Sequence, residues 1–288
     1  MPPEQSKIAV VTGGSSGIGA ATARALVAQG WHVIALGRTR DRLNRTLHEI
    51  RSEFPSARID GLIADFESIK QVERVAQEIT ALTSRVHVLV NNAGGPCEQR
   101  RETSDGFESL FAGNHLGPFL LTRRLLPLLR AAQDARIINV SSVAHKFVRD
   151  MQWDDLQLRR KFTNTVAYAQ SKLANVLFTR ELARRLSNDR ITVNAMHPGL
   201  VSSNFERHGD RWTALIYKLG KPFSVTAEQG ADTAVWLATA PEVEGKTGGY
   251  YVKRRVARTS RAARNEISAR RLWDVSEKLI GEAMASAH

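Results

Sequence analysis

The stretch that most limits how this chain can fold is Gly13-Gly14-Ser15-Ser16-Gly17-Ile18-Gly19. It lies between an apolar run, Lys7 to Thr12 (KIAVVT), and an alanine- and leucine-rich run, Ala20 to Gln29. A β-branched apolar run without polar alternation suits a strand buried on both faces. The run after the glycines has helix-forming composition, and Gly30 ends it. Glycines at 13, 17 and 19 let the backbone turn tightly and come close to a pyrophosphate, while the start of the helix offers free N–H groups and a partial positive charge. A glycine pattern alone says little, but strand and helix flank this one, which is the context dinucleotide binding requires. Gly13, Ser15, Ser16, Gly17, Ile18 and Gly19 are therefore candidate cofactor contacts.

The alternation continues. His32 to Gly37 (HVIALG) reads as a second strand, and at its end, where NAD enzymes place an acid on the ribose 2'-hydroxyl, this chain has Gly37-Arg38. A guanidinium there suits a 2'-phosphate through two parallel hydrogen bonds, so Arg38 favours NADP(H) over NAD(H). Thr39 to Phe54 looks helical, and its Arg40 and Arg42 either assist or are ordinary surface charges. Arg58 to Ala64 is a third strand. At its end Asp65 and Phe66 can meet the adenine, and Asp65 is equally suited to cap a helix from Glu67 to Thr83. Val86 to Val90 is a fourth apolar strand, running into Asn91-Asn92-Ala93-Gly94. Small residues there let the chain pass close to a ligand, so Asn92, Ala93 and Gly94 join the cofactor candidates. Strands alternating with helices at this spacing mean a parallel sheet covered on both sides.

Composition narrows the class. The 288 residues, 42% of them hydrophobic, fit a soluble globular protein of one large or two small domains. The single cysteine, Cys97, rules out an intrachain disulfide, and no cysteine and histidine cluster has metal spacing, so a reducing compartment and no metal are expected. Met1 to Lys7 is short and polar, and no run of about 18 apolar residues follows, which points to the cytoplasm. The net charge of +12 comes mainly from dispersed arginines. The densest run, Lys253 to Arg271, reads as a solvated basic tail that could also serve nucleic acid or an anionic membrane surface.

Tyr168 and Lys172 stand four residues apart in Val166 to Leu186, a helical stretch, and so share one face. A phenol titrates near pH 10, and a fixed cation beside it favours the phenolate, which makes an acid-base pair usable at neutrality. Upstream, Gly106 to Arg130 is helical in pattern and contains Asn114, with Pro118 marking a local break. Arg136 to Ser141 is the next central strand, and Ser142 lies at its carboxyl end, the edge where open parallel sheets bind ligands. Ser141 and Ser142 point in opposite directions, so only one can face a substrate. Residues 143 to 167 form a long loop beside that edge, with His145 and Trp153 available for substrate contact or for packing. Arg190 to Met196 is a sixth strand, His197-Pro198-Gly199 turns the chain, Thr226 to Ala238 is helical, and Gly249 to Lys253 is the last strand. Asn204 to Pro222 mixes aromatics and leucine with charges. That is the character of a lid whose Phe205, Trp212, Leu215, Ile216 and Tyr217 roof a lipophilic substrate, or of a surface helix packed on the domain.

Thr12-Gly13-Gly14-Ser15-Ser16-Gly17-Ile18-Gly19, Asn91-Asn92-Ala93-Gly94, Asn114, Ser142, Tyr168 and Lys172 stand in the order and approximate spacing of the short-chain dehydrogenases/reductases. The chain resembles that family over nearly its whole length. Asn114 to Thr122, Ser141 to His145, Ser171 to Leu186 and Arg271 to Gly281 are similar to its retinol dehydrogenase branch, from which this chain departs in lacking an apolar N-terminal anchor. Soluble ketoreductases for aromatic polyketides and other bulky carbonyls look similar. The resemblance implies that Ser142, rather than Ser141, hydrogen-bonds the carbonyl and that Tyr168 is the general acid. It implies further that Lys172 holds the nicotinamide ribose while favouring the phenolate, and that Asn114 kinks its helix and holds a water on the proton path. It adds Pro198, Gly199, Val201 and Ser203 to the cofactor contacts. It also makes the faces of the Gly106 and Val166 helices a surface for a second copy, in a homodimer or homotetramer.

The expected fold is a single doubly wound α/β Rossmann domain, residues 1–252, with a mainly seven-stranded parallel sheet, helices on both faces and a lid around 204–225. A basic helical tail, 253–288, follows. The expected activity is reversible NADP(H)-dependent hydride transfer at the carbonyl or alcohol carbon of a small molecule, bulky and lipophilic or aromatic, with no nucleic-acid partner. One competing reading is a non-catalytic NADP(H)-binding sensor or nucleic-acid-associated protein using the tail, which leaves Ser142 without a purpose. Another keeps the chemistry but seats the enzyme peripherally on a membrane through the tail helix.

Overall fold

The computed structural model describes residues 6–199 and 225–286. Each apolar run is a strand: β1 (Ile8–Thr12), β2 (His32–Gly37), β3 (Ile59–Ile63), β4 (Val88–Asn91), β5 (Ala135–Val140), β6 (Ile191–His197) and β7 (Tyr250–Val252). They are mutually parallel in the order β3-β2-β1-β4-β5-β6-β7, and a two-residue β8 (Arg255–Val256), which the sequence pattern did not announce, closes the edge antiparallel to β7. Unbroken apolar runs are needed because successive side chains enter different cores. Val10, paired with Ile34 and Leu89, packs under α3 (Ile69–Leu82), α5 (Gly117–Ala131) and α6 (Asn164–Arg185). Its neighbours Ala9 and Val11 pack on the opposite face with α1 (Gly17–Ala28), α2 (Arg40–Glu53) and α7 (Ala227–Thr239). The strand order reverses between β1 and β4, and the chain there leaves a crevice at the carboxyl ends of the strands.

Two local boundaries differ from the sequence reading. Ser68, not Asp65, caps α3, accepting the Gln71 N–H, and the helix begins at Ile69. Asp65 instead receives the Glu67 N–H at 3.0 Å, closing a turn one step earlier. The Gly106 to Arg130 stretch is three pieces: α4 (Ser109–Phe111), a π-helical turn over Ala112–Leu116, and α5. Buried Glu108 starts it by accepting the N–H groups of Leu110 and Phe111 at 2.9 and 2.8 Å. Gly117 ends the π turn, where a Cβ would stand 2.5 Å from the Phe66 carbonyl. Pro118 stands at the second residue of α5, directly after the π turn in a continuous helical run, and its missing N–H falls at the join between them.

The residues after β8 are not merely solvated. Their arginines Arg261, Arg264, Arg270 and Arg271 are exposed, but α8 (Glu266–Ala285) buries Leu272, Trp273 and Ile280 in the same core as α5 and α6. Trp273 stacks on Phe178 at 6.1 Å, meets Phe119 edge-on at 4.8 Å and lies under the Arg185 guanidinium at 4.2 Å. Arg123 and Glu277 clamp α5 to α8 at 2.5 Å. Of the α5 and α6 faces, read from the sequence as the surface for a second copy, α6 is thus packed against a helix of the same chain, while Arg124, Pro127 and Arg130 of α5 are exposed. Among the described residues, no helix is long and apolar enough to cross a membrane.

Candidate active site

The crevice at the switch point is a cleft of about 460 Å³. Gly13, Ser15, Ser16, Gly17 and Ile18 form one wall. Gly13 and Gly17 have φ of +69° and +54°, which side-chain-bearing residues rarely adopt. Ser16 precedes α1 without a side-chain hydrogen bond to it, so the first helical N–H groups are left to the cleft. Gly19 is not on the wall. It sits behind the turn, where a Cβ would collide with the Gly13 carbonyl. Thr12 ties the two sides of the switch point together: its hydroxyl accepts the N–H groups of Asn92 and Ala93 at 2.9 and 2.8 Å, and its carbonyl receives the Asn92 amide at 2.9 Å. Asn92, Ala93 and Gly94 consequently line the cleft.

At the other end lie Arg38, Arg42, Asp65 and Phe66. Arg38 is mostly exposed at the rim, 3.7 Å from Glu67. Glu67 is held more firmly across the cleft by Arg101, at 2.8 and 3.1 Å, a pair that no local pattern revealed. A groove with a glycine cradle and an open helix start for a pyrophosphate, and with guanidinium groups at the ribose end, fits a dinucleotide. Pro198 and Gly199 follow β6, and Gly199 has φ of +92°. Val201, Ser203 and all but the end of the 204–225 segment, including Phe205, Trp212, Leu215, Ile216 and Tyr217, lie outside the described residues.

Beside this cleft the structure brings Ser142, Tyr168, Lys172 and Asn114 together. Of the two serines after β5, Ser141 turns inward and donates to the Lys172 carbonyl at 2.8 Å, while the Ser142 hydroxyl lies near enough to the Tyr168 phenol to pull its pKa down. Ser142 also caps a 3-10 turn, Val143–Phe147, by accepting the Ala144 N–H at 3.1 Å. Lys172 is buried, donates to the Val140 carbonyl at 3.2 Å and lies 5.5 Å from the Tyr168 ring centre. The Asn114 amide donates to Ser171 at 2.9 Å and to the Gly95 carbonyl at 3.2 Å, and its oxygen accepts the Gly95 N–H at 3.0 Å. The π turn is what aims Asn114 at α6.

The electrostatics of the pair differ from the sequence expectation. Burial pushes the Tyr168 phenol up to about 12, with the Ser142 hydrogen bond pulling the other way. Burial pushes Lys172 down to about 8. Burial is the largest cause at each group. Two further groups close this side: Tyr250 of β7, its phenol pushed up by burial and by the nearby Tyr168, and His145, whose ring meets Tyr250 at 4.9 Å. Residues 148 to 163 are pinned rather than loose, since Gln170 of α6 accepts the Gln152 N–H at 2.8 Å and donates to the Leu156 carbonyl at 3.0 Å. Trp153 packs under Arg271 at 4.4 Å.

A doubly wound sheet with a dinucleotide cleft, and a Ser-Tyr-Lys group at its carboxyl edge, defines a nicotinamide-dependent oxidoreductase architecture. Residues 7–214 match the family model described as short chain dehydrogenase. Human (Homo sapiens) "Retinol dehydrogenase 12" is 39% identical over 275 residues, which are 96% of this chain and 86% of that protein. A crystal structure of an uncharacterised protein from Mycobacterium Paratuberculosis superposes with a TM-score of 0.77 at 31% identity, covering 96% of this chain and 93% of that one. The NADP complex of Pseudomonas aeruginosa RhlG gives 0.68 at 29% identity, covering 87% and 96%. The chain belongs to the short-chain dehydrogenase family of oxidoreductases, in its retinol dehydrogenase-like branch.

Proposed function

We propose that the protein is an NADP(H)-dependent oxidoreductase that interconverts a carbonyl and an alcohol on a bulky lipophilic or aromatic molecule. The observation that carries this reading is the gathering of Ser142, Tyr168 and Lys172 at the carboxyl edge of β5, with the Lys172 ammonium 5.5 Å from the Tyr168 ring centre and Asn114 bonded to Ser171, which lies between them in sequence. Arg38 after β2, where an NAD enzyme has an acid, supports the phosphorylated cofactor, as does the NADP named for the RhlG relative. The name of the human relative, retinol dehydrogenase, supports a long apolar aldehyde or alcohol.

When bound, the nicotinamide supplies or accepts the hydride. Ser142 hydrogen-bonds the carbonyl oxygen and orients it, and Tyr168 gives that oxygen its proton as the C–H bond forms. Lys172 holds the ribose hydroxyls and, once it shares the buried site with an ionising phenol, favours the phenolate. Asn114, bonded to Ser171 beside Lys172, holds a water that returns the proton. The non-catalytic reading gives the Ser142 and Tyr168 pair no purpose. We place any self-association away from the part of α6 on which α8 packs. A reducing, cytoplasmic setting, suggested by the single cysteine, stays part of the proposal and is tested by cell fractionation.

A panel of all-trans-retinal, long-chain aldehydes and bulky aromatic ketones, assayed for oxidation of NADPH and of NADH, tests the reading. Tyr168→Phe should bind NADPH normally by fluorescence titration and lose about 10²-fold or more in turnover. Near-normal turnover in that variant would refute the assignment.

A further inference from the structure

Two buried histidines, each a near neighbour in sequence of a proposed catalytic residue, are bonded to the segment that follows β8. His145 stands three residues after Ser142. Its Nδ1 lies 2.6 Å from the Ser142 carbonyl, and its Nε2 faces the Ser260 backbone N–H at 3.3 Å. A carbonyl can only accept and a backbone N–H can only donate, so neutral His145 carries its proton on Nδ1. One imidazole thus links the C-terminal segment to the backbone of Ser142.

His115 follows Asn114 in the π turn and is fully buried. The Ser276 hydroxyl of α8 stands 2.7 Å from the Leu272 carbonyl and is hydrogen-bonded to His115 Nε2 at 2.9 Å. Burial pushes both imidazoles below the ordinary histidine value, His115 to about 3, which keeps them in the neutral state these bonds require.

We infer that residues 258–286 position the active site from behind, Ser260 setting the Ser142 loop through His145 and Ser276 setting the Asn114 turn through His115. The inference rests on the roles given above to Ser142 and Asn114. His145 and His115 are positioning residues: neither is given a contact with substrate or cofactor. The physical reason for a kinetic effect is that displacing a catalytic group by about 1 Å can cost up to 10²-fold in rate even when binding is untouched.

Three variants and one spectroscopic measurement test it. His145→Phe keeps a ring against Tyr250 but loses both hydrogen bonds, His145→Asn keeps a donor where Nδ1 stands, and Ser276→Ala removes the hydroxyl partner of His115. With NADPH and 2-naphthaldehyde, His145→Phe should lose about 10- to 100-fold in kcat with little change in KM, His145→Asn should recover most of it, and Ser276→Ala should lose about 3- to 10-fold. NADPH affinity by fluorescence titration should stay within about 2-fold of wild type in all three. Histidine-labelled wild-type protein should show the Nδ1–H tautomer at His145 by ¹⁵N NMR, a readout independent of turnover.

An Nε2–H tautomer at His145 overturns the linkage. So does a folded His145→Phe or Ser276→Ala protein with wild-type kcat, or one that loses NADPH affinity in proportion to kcat, which would mark a general structural defect. If His145→Phe does not fold, Ser276→Ala and His145→Asn decide by the same criteria. Ser142→Ala separates this inference from the function it rests on: full activity there sinks the function, whereas an inactive Ser142→Ala beside an unaffected His145→Phe sinks only the positioning role.

Discussion

Lys172 should make the protein less stable than it would be without the charge, and the cost should be visible as a pH-dependent gap. Lys172 is 4% exposed, with the Val140 carbonyl 3.2 Å and the Tyr168 ring centre 5.5 Å from its ammonium. Burial moves it from 10.5 to about 8. At about 1.4 kcal/mol per unit, keeping the buried group protonated costs the folded state up to about 3 kcal/mol at neutral pH. The sign follows from which state holds the proton. From about pH 8 to 10.5 the unfolded lysine is protonated and the folded one is not, so stability rises with pH across that window. Below it the full cost applies, and above it the cost is gone.

Lys172→Met keeps the length, removes the charge and leaves the Val140 carbonyl with the Asn175 amide at 3.3 Å. Urea unfolding followed by tryptophan fluorescence at pH 7, 8, 9 and 10 should find the variant more stable by up to about 3 kcal/mol at pH 7, with the gap reduced to about 1 kcal/mol at pH 10. Tyr168 acts in the opposite sense above pH 10. Its phenol ionises first in the unfolded chain, so stability falls between about 10 and 12 in both proteins and cancels in the comparison. Turnover by the Met variant should be lost. A variant less stable than wild type at pH 7, or a gap that does not move with pH, would contradict the reasoning.

Arg38→Ala should weaken NADPH by about 10- to 100-fold, the loss of charge-assisted hydrogen bonds worth about 1.5–3 kcal/mol, and leave NADH nearly unchanged; equal losses for both cofactors exclude a 2'-phosphate contact. Gly19→Ala drives a methyl into the Gly13 carbonyl, so a backbone shift costing about 1–3 kcal/mol should lower both melting temperature and NADPH affinity. Wild-type values on both counts would show that the turn has slack. Trp273→Ala should cost about 3–5 kcal/mol by denaturant unfolding, because the indole is buried between Phe119, Phe178 and Arg185. A loss under about 1 kcal/mol would mean that α8 is only loosely attached.

What this sequence determined by itself is what neighbours along the chain decide. The central strands had to be unbroken apolar runs because both faces of the sheet are covered, and the glycine turn had to open α1 because Gly13 and Gly17 adopt positive φ between a strand and a helix. Tyr168 and Lys172 share a face because helical spacing puts them there. Between two good caps, Asp65 and Ser68, only the packed end of α3 made the choice. Gly117 at the end of the π turn leaves no room for a Cβ against the Phe66 carbonyl, a contact between separate elements. His145 and His115 find their partners 115 and 161 positions away, so no local period could name Ser260 or Ser276. The state of the phenol was likewise decided late. Sequence places an ammonium beside it, but how far each group is removed from water is set only when α6, β5 and β7 close around them.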